Sequence, residues 1–400
     1  MKKSGLLAVV LGSAAILTLG ACNGIATSSG AVASSAAGSS AAASSAASSA
    51  ASGTIDLAMI TDVGQIDDGS FNQYTYVGVQ QYATDHGLAQ AYFRPTEDST
   101  QARLDSISQA VARGAKIVVC PGYLFETAIY EAQTMYQDVS FLLLDGEPHD
   151  SDYVNYFTAS NVHCILYKEY EPGYLAGYAA VEEGYTSLGF EGGMAVPAVE
   201  KYGFGYVSGI IDAANAKNVN VSLQYDYAGT FNPSDTIVTT ATGWYNAGTQ
   251  VIFSCGGSIF KSVVSAAQST SKKVIGVDVD QYSQAPDVVI TSAEKKLEES
   301  TYASLTSFYG NNKVWPSDLS GKTALVGAKE GMVGLPTDGA SWTFTHFTLD
   351  QYNTIFAAMA ASDTYTGVAY GASVTLTPNG STSHLTINYG SSVTNLPIAV

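Results

Sequence analysis

The chain has 400 residues, 46% of them hydrophobic, and its 35 acidic and 17 basic side chains give a formal net charge of -18. That balance excludes a nucleic-acid partner, because neutralising phosphates takes clustered Lys and Arg and no basic stripe is present. The roughly 350 residues beyond a low-complexity N-terminal segment are enough for packed cores and suit two lobes better than one.

Lys2 and Lys3 precede an uncharged apolar run from Leu6 to Leu19, and Leu19-Gly20-Ala21-Cys22 then sets small residues ahead of a cysteine. This predicts a secretory signal over residues 1–21 whose removal leaves Cys22 first. The arrangement resembles a bacterial lipobox, which implies lipidation at Cys22 and a cell-membrane protein anchored on the extracytoplasmic face. Two other readings stand beside it: a membrane anchor, for which the run is short, or an ordinary signal peptide in which Cys22 is incidental. Residues 22–53 are nearly all Ala, Ser and Gly without a charge. They offer little to bury and are expected to act as a tether.

The folded part begins with Ile55 to Ile60, a short apolar run ending at Thr61 and Asp62, followed by a Gly/Asp-rich loop and a helical pattern from Ser70. This predicts strand, loop and helix. Ser70 and Gln73 have capping-box spacing, so hydroxyl and amide are each expected to satisfy a backbone N–H at the helix start. Phe71 and Asn72 fall on the first turn, facing the crevice beyond the strand. Strands are then expected at 91–94, 116–120 and 141–145, with helices at 101–113 and 124–136. A second series follows, with strands at 188–192, 219–227, 251–254, 274–278 and 288–293 and helices at 199–216, 234–247 and 257–267. Alternation of this kind, with continuously apolar strands, argues for parallel sheets covered on both faces.

Asp62, Asp145 and Asp278 each end an apolar strand, at the edge where open parallel sheets bind ligands. Each is alternatively a helix N-cap or a loop residue. Phe231 and Gly257 hold matching places after strands of the second series, and a phenylalanine there either packs or stacks on a ligand opposite Phe71. Cys120, Cys164 and Cys255 show no C-x-x-C spacing and read as small buried residues. Of the many tyrosines, Tyr123, Tyr153, Tyr156, Tyr202 and Tyr206 read as loop or helix-end residues, Tyr123 being the nearest to a ligand. The five histidines read as scattered surface or loop residues.

The run ITDVGQIDDGSFNQ, followed in order by GGMAVPAVEKYGFGYVSG, YAGTF, CGGS, VIGVDVDQ and ITSAEKK, resembles the basic membrane protein family of bacterial lipoproteins, which includes purine nucleoside receptors of ABC transporters. The resemblance implies an α/β fold of the type I periplasmic-binding-protein kind, two doubly wound lobes joined by crossing hinge strands. It sets the first lobe at residues 54–165 and about 294–335, and the second at 166–293 and about 336–400. It further implies that Phe71 and Phe231 sandwich a purine, that Asp62, Asn72 and Asp145 supply polar contacts, and that Gly257 lets backbone approach the ligand. Asp278 then accepts from ribose hydroxyls, with Lys295 completing that polar end. The implied partners are a nucleoside, ABC permease subunits with a separate ATPase, and the membrane through the lipid. The protein is expected to be a monomer, without a cofactor and without catalysis.

Gly321-Lys322-Thr323 looks like the end of a P-loop, but Pro316 stands where its first glycine is required. The acidic loops at Asp67-Asp68 and Asp278-Val279-Asp280 raise a metal-dependent nucleoside hydrolase as an alternative, although neither H-E-x-x-H nor G-x-S-x-G occurs. A lipid-anchored sensor of nucleosides or other small molecules, without transport, is the remaining alternative.

Overall fold

The computed structural model describes residues 53–362 and 384–393. The predicted signal, Cys22 and nearly all of the tether lie outside the described residues, as do parts of the C-terminal segment assigned to the second lobe. In chain order the elements are β1 (Leu57–Ile60), α1 (Phe71–His86), β2 (Gln90–Phe93), α2 (Thr100–Ala112), β3 (Ile117–Pro121), α3 (Glu126–Met135), β4 (Ser140–Leu144) and β5 (Val162–Tyr167). Next come α4 (Tyr170–Glu182), β6 (Ser187–Gly192), α5 (Pro197–Lys217), β7 (Val221–Tyr227), α6 (Asp235–Asn246), β8 (Val251–Cys255), α7 (Ile259–Thr270) and β9 (Lys273–Asp278). The described chain ends with β10 (Val289–Lys295), α8 (Leu297–Gly310), β11 (Lys322–Val326), β12 (Val333–Gly334), α9 (Leu349–Ala360) and β13 (Leu385–Tyr389).

Two sheets result. The first has strand order β2-β1-β3-β4-β5-β11 and is parallel throughout. The second runs β13-β7-β6-β8-β9-β10-β12, parallel except for the short β12 against β10. In each, the order reverses beside the first strand of its series, between β1 and β3 and between β6 and β8. Loops leaving neighbouring strands there diverge to opposite faces and open a crevice. The central strands β1, β3, β4 and β8 are buried along their whole length, as helices on both faces require.

The chain passes between the two halves three times: from β5 to α4, from β10 to α8, which packs on α1, and from β11 to β12. Relative to the lobe limits drawn from the sequence, β12 belongs to the second sheet rather than to the first lobe. Its two residues can pair only with the free edge of β10. The Gly321-Lys322-Thr323 run leads into strand β11 rather than a helix, so it has no helix N-terminus to offer a phosphate.

One helix contact sets the frame of the second lobe. Gly173 and Gly177 of α4 face Tyr202 and Tyr206 of α5, while Gly205 and Gly209 of α5 face Tyr170 and Tyr174 of α4. A Cβ at any of the four glycines would lie 2.0 to 2.3 Å from a backbone carbonyl oxygen of the opposite helix. Only glycine permits this approach. No helix among the described residues is long and apolar enough to cross a membrane.

Candidate functional site

The C-terminal edges of the two sheets face each other across a partly open cavity. All eight residues singled out from the sequence line it: Asp62, Phe71, Asn72 and Asp145 from the first half, and Phe231, Gly257, Asp278 and Lys295 from the second. Tyr123, Tyr202 and Asp68 join them.

Lys295, the last residue of β10, stands where the chain crosses to α8. Its ammonium lies 2.5 Å from Asp145 Oδ2, 3.4 Å from Glu169 Oε1 and 3.9 Å from Asp278 Oδ1. The rings of Phe71, Tyr167 and Tyr202 surround it at 5.1, 5.3 and 5.5 Å, within cation–π range. Burial works against the charge, but the three carboxylates together raise this lysine above its ordinary value. It therefore stays charged and binds strands of both halves to the crossing. Asp145 and Asp278 have φ of 58° and 68°, a left-handed backbone that costs a non-glycine residue on the order of 1–2 kcal/mol. The turn aims both carboxylates at the cation instead of along the sheet edge. Burial pushes Asp278 up to about 6, with Lys295 and a hydrogen bond from Ser70 opposing it. Asp145 Oδ1 is buried with no hydrogen-bond partner in the protein, an acceptor left over.

A second polar group surrounds Asp62. Its Oδ1 accepts from Gly64 N–H at 2.6 Å and from the Asn72 amide at 2.8 Å. Its Oδ2 and the ring of Phe71 both lie beside Gly122, 3.5 and 3.7 Å from where a Cβ on that residue would stand. Burial pushes this carboxyl up to about 6 although both hydrogen bonds favour the charged form. Phe231 sits on glycine backbone, and a Cβ on Gly193 would reach within 2.4 Å of its ring. Gly257 lines the cavity with a φ of 53°, and a Cβ there would meet protein atoms only at ordinary distances, whereas at Gly256 it would meet Gly193 at 2.8 Å.

The capping box expected at α1 is not formed. Ser70 Oγ donates to Asp278 Oδ2 at 2.6 Å across the cleft, and the Gln73 amide oxygen accepts from Gly69 rather than Ser70. The capping role falls to Asp68, whose carboxylate accepts from the backbone N–H groups of Ser70, Asn72 and Gln73 and from the Asn72 amide. Asp68 thereby fixes the two ligand-facing residues of the first turn. The sequence shows Asp68 only as part of an acidic loop, because the nearer Ser70 matches the commoner pattern.

Glu169 is a further residue that sequence reasoning missed, and Tyr202 one that it misplaced. Glu169, at the N-cap of α4, is buried against Lys295, with Lys201 Nζ 3.8 Å from its other oxygen. Pro172 early in α4 was the available sign of a helix start there. Tyr202 and Tyr206 are fully buried inside α5, not in loops or at helix ends. The Tyr202 hydroxyl donates to the Ala293 carbonyl at 3.2 Å and lies 3.5 Å from Asp278. His149 and His163 are likewise buried, His149 in the loop between β4 and β5, as a loop reading has it, and His163 within β5, contrary to a surface or loop reading. Cys120, Cys164 and Cys255 are free and buried. Among the described residues, no group of three or more His, Cys, Asp or Glu is placed to hold a metal ion.

Comparison with known proteins gives the same architecture. The chain is 26% identical over 290 residues to basic membrane protein B of Borreliella burgdorferi, spanning 71% of this chain and 82% of that one. It is 28% identical over 239 residues to the ABC transporter nucleoside-binding protein BmpA of Lactococcus lactis, spanning 56% and 64%. A solute-binding protein of an ABC transporter system from Aeropyrum pernix superimposes with a TM-score of 0.61 at 23% identity, covering 70% of this chain and 76% of that one, a likeness of fold. The profile of the Bmp family, described as ABC transporter substrate-binding proteins, PnrA-like, matches residues 55–351. The chain belongs to this family of ABC transporter substrate-binding proteins.

Proposed function

We propose that the cleft binds a nucleoside, a purine by preference, without catalysis, and that a lipid on Cys22 holds the protein on the extracytoplasmic face, where it hands the ligand to a permease driven by a separate ATPase. The carrying observation is the lining of one acidic cavity by two aromatic rings from opposite halves, Phe71 and Phe231, together with a single lysine amid carboxylates. A nucleobase has two flat faces suited to such rings. Its ribose carries hydroxyls that Asp278 and Asp145 can accept from, while the Asp62 and Asn72 group suits the polar rim of the base. Asp62, Asp68, Asp145 and Asp278 outnumber the one ammonium, so a phosphate group would be repelled, and a neutral nucleoside fits better than a nucleotide. The nucleoside named for the Lactococcus relative points the same way.

Titration calorimetry of the purified protein against adenosine, guanosine, inosine, uridine and cytidine tests this. Heat is expected with at least one purine, with the nucleoside recovered intact. No heat with any of the five, or release of free base, overturns it. Mass spectrometry of small molecules released from freshly purified, denatured protein identifies the occupant without presupposing its class.

A further inference from the structure

The loop from Asp67 to Ser70 belongs to the first half but is held by the second. Gln284 Nε2 donates to the Gly69 carbonyl at 2.9 Å, Gln281 Nε2 to the same oxygen at 3.1 Å, and Lys261 Nζ to the Asp67 carbonyl at 3.2 Å. Gly69 has φ of 72°, and a Cβ there would lie 2.6 Å from Gln284 Oε1, so the seat is fitted to glycine. Gln281 is completely buried. Its side-chain oxygen accepts from Val277 N–H, and its own N–H donates to Ser292 Oγ. One amide therefore stiffens the strand end that carries Asp278 while gripping the opposite half. Lys261, Gln281 and Gln284 do not line the cavity.

We propose that these three side chains form a latch between the halves that sets how long a ligand is retained without touching it. The latch bonds join protein to protein, so they favour closure whatever small molecule the cleft holds. A ligand enters before they form and leaves only after they break. They therefore act on dissociation and on the ratio of closed to open protein, and little on association. Asp68 caps α1 within the same loop, so gripping that loop also steadies Phe71 and Asn72. Gln281, Gln284 and Lys261 are positioning residues in this sense.

The test is the double variant Gln284→Met with Lys261→Met, which removes two latch donors and leaves Gln281 to support Asp278. Nitroxides on the exposed positions Gln80 and Asn246, introduced as Gln80→Cys and Asn246→Cys, report the distance between the halves by electron resonance with no ligand present. Losing two hydrogen bonds is expected to lower the closed-to-open ratio about tenfold. An unchanged ratio overturns the latch. Because this readout needs no ligand, it stands even if no nucleoside binds. With guanosine bound, the dissociation rate followed by stopped flow is expected to rise about tenfold at unchanged association rate. An unchanged dissociation rate overturns the role in retention.

Discussion

Replacing Lys295 by Met removes the one cation that three buried carboxylates share while nearly preserving side-chain length. The partners lie 2.5, 3.4 and 3.9 Å away, and the lysine side chain is 2% exposed. Removing one member of such a buried set strands the others, at a cost of about 3–5 kcal/mol. The stranded carboxyls escape part of that cost by taking up protons. Asp278 already sits at about 6 with the lysine in place, and without it rises further. A carboxyl whose folded pKa exceeds its unfolded value binds more protons when folded, so the variant gains stability as pH falls toward the unfolded value and loses it as pH rises through the folded one. Urea unfolding followed by circular dichroism is therefore expected to give a loss of about 3–5 kcal/mol at pH 8 and a clearly smaller loss at pH 5. Adding Glu169→Gln should recover part of the pH 8 loss. An equal loss at both pH values would falsify the assignment of this cost to stranded charge and leave packing as its source.

Asp68→Ala should cost about 1–2 kcal/mol of stability, as loss of a helix cap does, and hydrogen exchange should quicken first at Asn72 and Gln73; exchange unaltered there would return the cap to Ser70. Phe231→Ala should weaken nucleoside binding by about 1–3 kcal/mol in calorimetry with the fold retained, and unchanged affinity would make the ring packing alone. Wild-type protein should bind 2′,3′-dideoxynucleosides weakly, and its affinity for ribonucleosides should fall below about pH 6 as Asp278 gains a proton and ceases to accept; Asp278→Ala should discriminate little between the two sugars. Glu183 accepts from the N–H groups of Thr345, His346 and Phe347, bonds that outweigh burial and hold it at about 2, so Glu183→Gln should speed exchange of those three amides above pH 5, and wild-type protection should persist until pH falls toward 2.

The parallel strands β1, β3, β4, β6, β8 and β9 were legible because their apolar runs are short, continuous and bounded by Gly or Asp, a signature each carries independently of its partners, whereas β5 and β11 were not foreseen. The lining residues were legible where they follow such strands directly, as Asp62, Asp145 and Asp278 do. What the sequence hides is which groups meet. Ser70 and Asp278 are 208 residues apart, and their hydrogen bond removes Ser70 from the capping role its local spacing suggests. Glu169 escaped notice because β5 and α4 lie in a stretch whose tyrosines and glycines give no clear period, and its partner Lys295 lies on a different crossing. The short β12 has no signal of its own and exists only because β10 presents an edge.

The α4–α5 contact bears on how a protein of this kind can change over generations. In most helix pairs an enlarged residue on one side can be accommodated by a smaller one opposite. Here the opposing atoms at all four positions are backbone carbonyl oxygens of Tyr170, Tyr174, Tyr202 and Tyr206, and no substitution shrinks a carbonyl. Gly173, Gly177, Gly205 and Gly209 are thus closed to drift both singly and in compensating pairs. Phe231 and Tyr123 line the cavity and meet no such pair of opposed backbones. A lineage can exchange the cleft lining to take up a different small molecule while the helices that carry Glu169 and Tyr202 keep their spacing.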